Sequence, residues 1–344
     1  MIKRLTLLLL LACLFTFGAW GEAFCKPKYE VKFASLAPEG STWMNTMREL
    51  DREVRDATGG EVGFKLYPGG VQGDEVDVLR KIRFNQLHAA GFTGNGLGDI
   101  LPEIRLLELP FMYDSIEELD HIVETFTPYY EKAFRDRGFV LLGWAEVGNI
   151  YFYSTKPVSN LRDLKQVKVW VWQGDPLPTA LFDALGISPI PLSVPEVLTG
   201  LQTGMIEAIY SSPVATISLQ WFTRVKYMNT SPLTVSLGAV LMSAREFDKL
   251  PPEYQESVLT LSRNKMRALT LQSRIDNDRG IEEMRRAGIV MVEPPTSEEL
   301  ASYEKSIGEI LRQRLTGKLY SAELLKQVHD ELDRFRTSEQ ADEE

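Results

Sequence analysis

The sequence predicts an α/β fold arranged as two lobes with doubly wound sheets, and three observations carry that prediction. The chain opens with strand-like and helix-like segments in β-α-β-α-β order, and the same alternation resumes past its middle. A helical stretch of about 35 residues, from Pro252 to about Arg286, is long enough to reach from one unit to the other. With 344 residues, 44% hydrophobic and 25% charged, the chain can bury two cores.

Spacing justifies each element. YEVKFASLA, from Tyr29, alternates as a strand does. STWMNTMRELDREV then places Trp43, Met47, Leu50 and Val54 at helical spacing behind Ser41 as N-cap. Val62, Phe64 and Leu66 form a second strand ending in the turn YPGG; DEVDVLRKIRF is a helix and LHAAGFT a third strand. Beyond ILPEIRLLELPFMY the spacing gives a helix over SIEELDHIVETFTPYYEKAFRDR, a strand FVLLGWAE, a separate strand or ribbon IYFYSTKPV, and the strand VKVWVW. Helices PLPTALFDALG and SVPEVLTGLQTG flank the short strand SPIPL. After IEAIYSSP come a helical VATISLQWF, a buried strand LTVSLGAVLMS, the long helix, and two closing helices, SEELASYEKSIGEILRQRL and SAELLKQVHDELDRFR. The acidic end TSEQADEE reads as a disordered tail.

Composition excludes several functions. A net charge of −10 and a pI near 5.1 argue against a nucleic-acid partner, which needs clustered Lys and Arg. MIKRLTLLLLLACLFTFGAWGEAFCKP carries Lys3 and Arg4 before an apolar run and small residues near Gly21 and Ala23, the pattern of a secretory signal peptide over 1–23. LLAC, ending at Cys13, also matches a lipobox. A lipid-modified Cys13 would leave Leu14, Phe15 and Phe17 at the mature start, so the cleaved leader is preferred. Only Cys13 and Cys25 are present, so the mature chain is expected to form no internal disulfide. No later run reaches the roughly 18 apolar residues of a membrane span. The expected product is soluble and exported.

Catalytic and cofactor signals are weak. His88, His121 and His329 fall in separate elements without metal-ligand spacing. GNGLGD, from Gly94 to Asp99, comes after a strand as a dinucleotide loop does, but its glycines run G-x-G-x-G and Pro102 soon interrupts the chain beyond it. No G-x-S-x-G, P-loop or paired-cysteine motif is present, so no cofactor, no metal and no enzyme activity are expected.

The stretch KVWVWQGDP, Lys168 to Pro176, is the most informative one. A strand there sets Lys168, Trp170 and Trp172 on one face and Val169 and Val171 on the other. Such a face is either core or the wall of a binding site.

Several segments together resemble the periplasmic solute receptors of tripartite ATP-independent (TRAP) transporters. They are YPGGVQGDEVDVLRKIR, LPEIRLLELPFMY, NLRDLKQVKVWV, ALGISPIPLSVPEVLTGLQTGMIEA and FDKLPPEYQESV, in the family's order across almost the whole mature chain. The resemblance implies two α/β lobes joined by crossing segments and a long helix, closing over a solute. On that plan 28–150 with 236–275 form lobe I, 151–235 with 276–337 form lobe II, and 338–344 are the disordered tail. In most such receptors the strand after L-K-x-x-K carries an arginine that clamps the solute's carboxylate; aligning LKQVKVWV puts Trp170 in its place. A second arginine often comes after GW, where this chain reads GWAEVGNIYFYS without one, and EAIYSSP departs from the family's polar segment.

Trp170 and Trp172 are therefore expected to replace an anion clamp by an aromatic wall, with Tyr210, Tyr151 and Trp43 and with Trp221 and Phe222 leaning to core. A carboxylate buried beside indoles without a cation would be costly, so the expected solute is apolar or amphipathic, held by shape and a few hydrogen bonds. Ser211 and Ser212 are candidate donors, Glu39 and Asn95 come after strand ends facing the cleft, and Lys168 shares the Trp170 face. The expected function is that of a periplasmic receptor handing its solute to membrane permease subunits, with a further periplasmic partner protein as an option. The alternatives are an organic acid anchored by Lys168, Arg224 or Lys226, an exported lipid carrier or sensory module, and an exported enzyme.

Overall fold

A computed structural model describes residues 26–293 and 296–342. The expected leader over 1–23, with its Cys13, and Cys25 just beyond it lie outside the described residues. Strands β1 (Tyr29–Ala34), β2 (Val62–Tyr67) and β3 (Ala89–Thr93) pair in parallel with β1 in the middle, as the opening alternation predicts. Helices α1 (Thr42–Ala57) and α2 (Glu75–Arg83) make the crossovers, capped by the side chains of Ser41 and Asp74. Helix α3 (Gly94–Ile100) and a 3₁₀ turn (Pro102–Glu108) come after β3, and α4 (Ile116–Asp136) leads into β4 (Phe139–Ser154).

β4 corrects the sequence reading, because FVLLGWAE and IYFYS are one strand. It carries bulges between Leu141 and Gly143 and between Glu146 and Gly148, which a pattern search takes for a break. Gly148 has φ of 112°, and a Cβ there would sit 2.1 Å from the Asn277 side chain. The first part of β4 pairs antiparallel with β9 (Thr234–Ser243), which itself runs antiparallel to β3, so the sheet is mixed rather than wholly parallel. From Tyr151 onward β4 pairs instead with β7 (Ala208–Ser211) and β8 (Tyr227–Asn229). One strand thus belongs to both lobes.

In the second lobe the remaining elements are α5 (Leu161–Leu164), β5 (Trp170–Trp172), α6 (Pro176–Ala184), β6 (Ile190–Leu192), α7 (Val194–Thr203) and α8 (Pro213–Ser218). β5 and β6 form a separate parallel pair, and β10 (Val290–Val292) extends the main sheet beside β8. After the short helix α9 (Ala244–Phe247), the long helix α10 (Pro252–Arg286) packs on α1 and β4 at one end and on α8 at the other. Its Asn277 joins the lobes, donating to Val147 O at 3.0 Å and accepting from Val214 N at 3.0 Å.

The closing helices divide between the lobes. Helix α11 (Ser297–Leu315) packs on α6, whereas α12 (Ala322–Asp342) packs on α4, with Arg336 gripping Glu118 at 2.6 and 2.8 Å. The segment expected to belong to lobe II therefore touches both. The expected disordered tail is helical as far as Asp342, continuing a helix already anchored to α4.

Candidate functional site

Both lobes contribute to a cavity of about 230 Å³ whose lining is mostly apolar. Its aromatic wall grows from β5 and β7. Trp170 is 2% exposed and stacks on Tyr210 with ring centres 4.9 Å apart, meets Trp221 edge-on at 5.6 Å, and lies 6.2 Å from Trp172. Its indole N–H donates to Leu192 O on the paired strand at 3.0 Å, satisfying the one polar atom of the side chain. Trp170 is thus at once core of the second lobe and wall of the cavity. Trp43 enters from α1 against Gly91, where a Cβ would stand 3.1 Å from the indole.

Trp172 reaches across the cleft. Its indole N–H donates to Asp74 Oδ2 at 3.0 Å, and Val194 N donates to the same oxygen at 3.1 Å. Asp74 caps α2 of the first lobe, so this carboxylate joins the two lobes. Burial pushes the Asp74 carboxyl up, while hydrogen bonds from the Glu75 and Val194 amides and the Trp172 indole pull it down.

A second part of the lining is charged. Arg105, in the 3₁₀ turn, is 6% exposed and places its guanidinium between two carboxyls. Its Nη1 donates to Glu108 Oε2, and its Nη2 donates to both oxygens of Asp175 at 2.9 and 3.1 Å. Glu108 is fixed in turn by Leu237 N at 2.7 Å and the Ser236 hydroxyl at 3.0 Å. Asp175 caps α6 by accepting from Leu177 N at 3.1 Å. Burial opposes charge on Arg105, but Asp175 and Glu108 outweigh it and hold the guanidinium protonated. Burial raises both carboxyls against the pull of Arg105. One ionised carboxylate suffices to neutralise the arginine, so this wall offers a solute no net positive charge.

Glu75 completes that wall. Fully enclosed, it accepts from Thr93 N at 2.7 Å, Gly96 N at 2.7 Å and the Thr93 hydroxyl at 3.0 Å. Burial first, and the Asp74 charge with it, push its carboxyl up to about 8 against those hydrogen bonds. When Glu75 is protonated the Thr93 hydroxyl can reverse its role and accept.

The glycines of GNGLGD make room for these groups rather than for a pyrophosphate. A Cβ on Gly94 would fall 1.9 Å from Glu108 Oε2, on Gly96 2.6 Å from Glu75 Oε2, and on Gly98 2.9 Å from Arg105 Cδ.

Of the residues singled out from sequence, Trp43, Asn95, Trp170, Trp172, Tyr210 and Ser211 line the cavity, together with Ser212 and Trp221. Tyr151, Glu39 and Lys168 do not. Tyr151 is buried in the core of the second lobe beside Ile150, which does line the cavity. Glu39 turns to the surface to pair with Arg48 at 2.7 Å, and Lys168 points outward to donate to Gly204 O at 3.0 Å. Arg224 and Lys226 are likewise absent from the lining. The sequence reading missed Arg105, Glu108, Asp175, Glu75 and Asp74. The available signal was a charged pair at i and i+3 inside the apolar run IRLLELP, and an aspartate between the end of a strand and a helix-opening proline.

Comparison with known proteins decides the family. The family model described as bacterial extracellular solute-binding protein, family 7, matches residues 33–316. The chain belongs to that family. The 2,3-diketo-L-gulonate-binding periplasmic protein YiaO of Escherichia coli is 25% identical over 288 residues, covering 80% of this chain and 84% of that protein. The ectoine/5-hydroxyectoine-binding periplasmic protein UehA of Ruegeria pomeroyi is 23% identical over 260 residues, covering 71% and 74%. Among solved structures, DctP7 of Bordetella pertussis, a receptor binding pyroglutamic acid, aligns with TM-score 0.79 at 20% identity, covering 88% of this chain and 99% of its own. A TRAP receptor of Desulfovibrio salexigens with bound orotic acid aligns with TM-score 0.79 at 21% identity, covering 89% and 99%. The two-lobed architecture is that of TRAP periplasmic receptors, which are transport components rather than enzymes. No described helix is long and apolar enough to cross a membrane.

Proposed function

We propose that this TRAP receptor, exported by its leader to the periplasm, captures an apolar or amphipathic small molecule between its lobes and delivers it to the membrane permease. The division into 28–150 with 236–275 and 151–235 with 276–337, joined through β4, β9 and α10, belongs to the same proposal. Solute would favour the closed arrangement by contacting both lobes at once.

The observation that carries the reading is the state of Arg105. It is the only arginine or lysine among the described residues lining the cavity, and two carboxyls already hold it. Apart from these groups and Glu75, the lining is aromatic and aliphatic side chain, with Asn95 and several serine and threonine hydroxyls, Ser211 and Ser212 among them, for neutral hydrogen bonds. A solute carboxylate seeking Nη1 or Nη2 would have to displace one of the protein's own, leaving that group buried and unpaired.

An organic acid is the second reading. The ligands named with related structures include orotic acid and pyroglutamic acid. Arg105 also keeps one buried donor, Nε, without a partner. Mass spectrometry of small molecules released from the purified mature protein separates the two. An apolar or amphipathic compound is expected; recovery of a carboxylate at stoichiometric occupancy would transfer the anchor to Arg105 and refute the reading.

A further inference from the structure

We infer that Asp175 acts as a built-in substitute for a solute carboxylate and is the residue that sets the charge preference of the cleft. The inference deepens the proposed preference for uncharged solutes and rests on it. A guanidinium paired with a carboxylate is the usual way a protein holds an organic acid, and Nη2 of Arg105 meets both oxygens of Asp175. Here both partners come from the protein and from opposite sides of the cleft. Arg105 stands in the 3₁₀ turn after α3, and Asp175 in the short link from β5 to α6, just beyond Trp172.

Several features show that the pair is built in rather than incidental. Both side chains are almost fully enclosed, at 7% and 5% exposure. Asp175 is fixed by its cap on Leu177 N, and Glu108, the other partner of Arg105, by Leu237 N and Ser236. Gly94 and Gly98 leave the space that Arg105 and Glu108 fill. The pair has three consequences. It ties the lobes together without an anionic ligand, it withdraws the cavity's cation from competition, and it repels an incoming carboxylate. Uncharged solutes escape the last two.

Removing the charge while keeping the cap should release Arg105. Asn in place of Asp175 keeps an oxygen for Leu177 N, but it removes the charge that holds the guanidinium and puts an NH2 donor where Oδ2 accepts from Nη2. The probe is sodium formate, the smallest carboxylate, with formamide as neutral counterpart and sodium chloride at matched ionic strength. Binding is monitored by indole fluorescence and by the shift in thermal midpoint, in the full mature protein. The expected result is an affinity for formate at least about tenfold higher in Asp175→Asn than in wild type, with formamide unchanged. In the double variant Arg105→Met/Asp175→Asn the gain should vanish. Equal formate affinity in wild type and Asp175→Asn, or a gain that survives loss of Arg105, would overturn the inference. Should Asp175→Asn fail to fold, Asp175→Ser retains a capping oxygen and serves the same comparison. The two readings fail separately: a carboxylate released from the wild type sinks the solute preference, while the formate comparison still reports whether Asp175 occupies Arg105.

Discussion

The two walls of the cleft are built in opposite ways. The aromatic wall is centred on one strand and tolerant in chemistry: Trp170 and Trp172 are two residues apart on β5, and Tyr210 and Trp221, from later segments, pack against Trp170. The charged wall is assembled from three separate segments, carrying Glu75, Arg105 with Glu108, and Asp175. Apolar area can be supplied by any large side chain, whereas a buried guanidinium needs particular partners at hydrogen-bond distance. On the proposed function, the first wall would set the affinity for the body of a solute, and the second would decide which polar groups that body can carry.

The largest expected effects come from breaking either wall. Arg105→Met strands Glu108 and Asp175 in the interior, and stability measured by urea unfolding should fall by about 3–5 kcal/mol. Replacing Glu108 and Asp175 by Gln and Asn in the same chain should restore part of it. Trp170→Ala removes a buried indole and should also cost about 3–5 kcal/mol, but with no rescue by changes on the charged wall. If that double substitution on the charged wall rescued Trp170→Ala, the walls would not be separate units.

The pH profile sharpens the contrast. Glu75 titrates near 4.5 when unfolded and at about 8 when folded, so the unfolded chain loses its proton first as pH rises. Stability should decline between about pH 4.5 and pH 8, by on the order of 5 kcal/mol from this group. Glu75→Gln should flatten that slope in denaturant titrations at several pH values, even if its amide lowers stability at every pH. A slope identical to wild type would remove Glu75 from the account. Trp172→Phe, which loses the donor to Asp74 but keeps an aromatic surface, should weaken solute binding by about 1–2 kcal/mol in calorimetry. Smallest of all, Glu39→Ala and Lys168→Ala should leave solute affinity unchanged and stability within about 0.5 kcal/mol.

This difference between the walls also explains what can be read from sequence. Trp170 and Trp172 are legible because strand periodicity fixes their common face, and the opening β-α-β-α-β order because capping and spacing are local. Arg105, Glu108 and Asp175 are not, because the sequence around Arg105 and Glu108 carries no trace of Asp175, and the reverse holds too. LPEIRLLELPFMY carries the family resemblance, but nothing in its own pattern marks Arg105 as a cavity residue. GNGLGD reads as a failed nucleotide loop because the groups its glycines accommodate come from other segments. In β4, two bulges conceal a single strand that the turn-like residues Gly148 and Asn149 break in the sequence pattern. Lys168 fails for a simpler reason: the face it shares with Trp170 has already left the cavity by its position, so its ammonium reaches Gly204 O instead.

The most direct test of the central claim is calorimetric titration of the wild-type receptor, freed of any co-purified compound, with orotate, pyroglutamate and D-glucuronate alongside the compound it releases on unfolding. Saturable binding of an uncharged or amphipathic compound is expected, with no measurable binding of the three acids. Micromolar binding of any of those acids would contradict it and return Arg105 to the role of anion anchor.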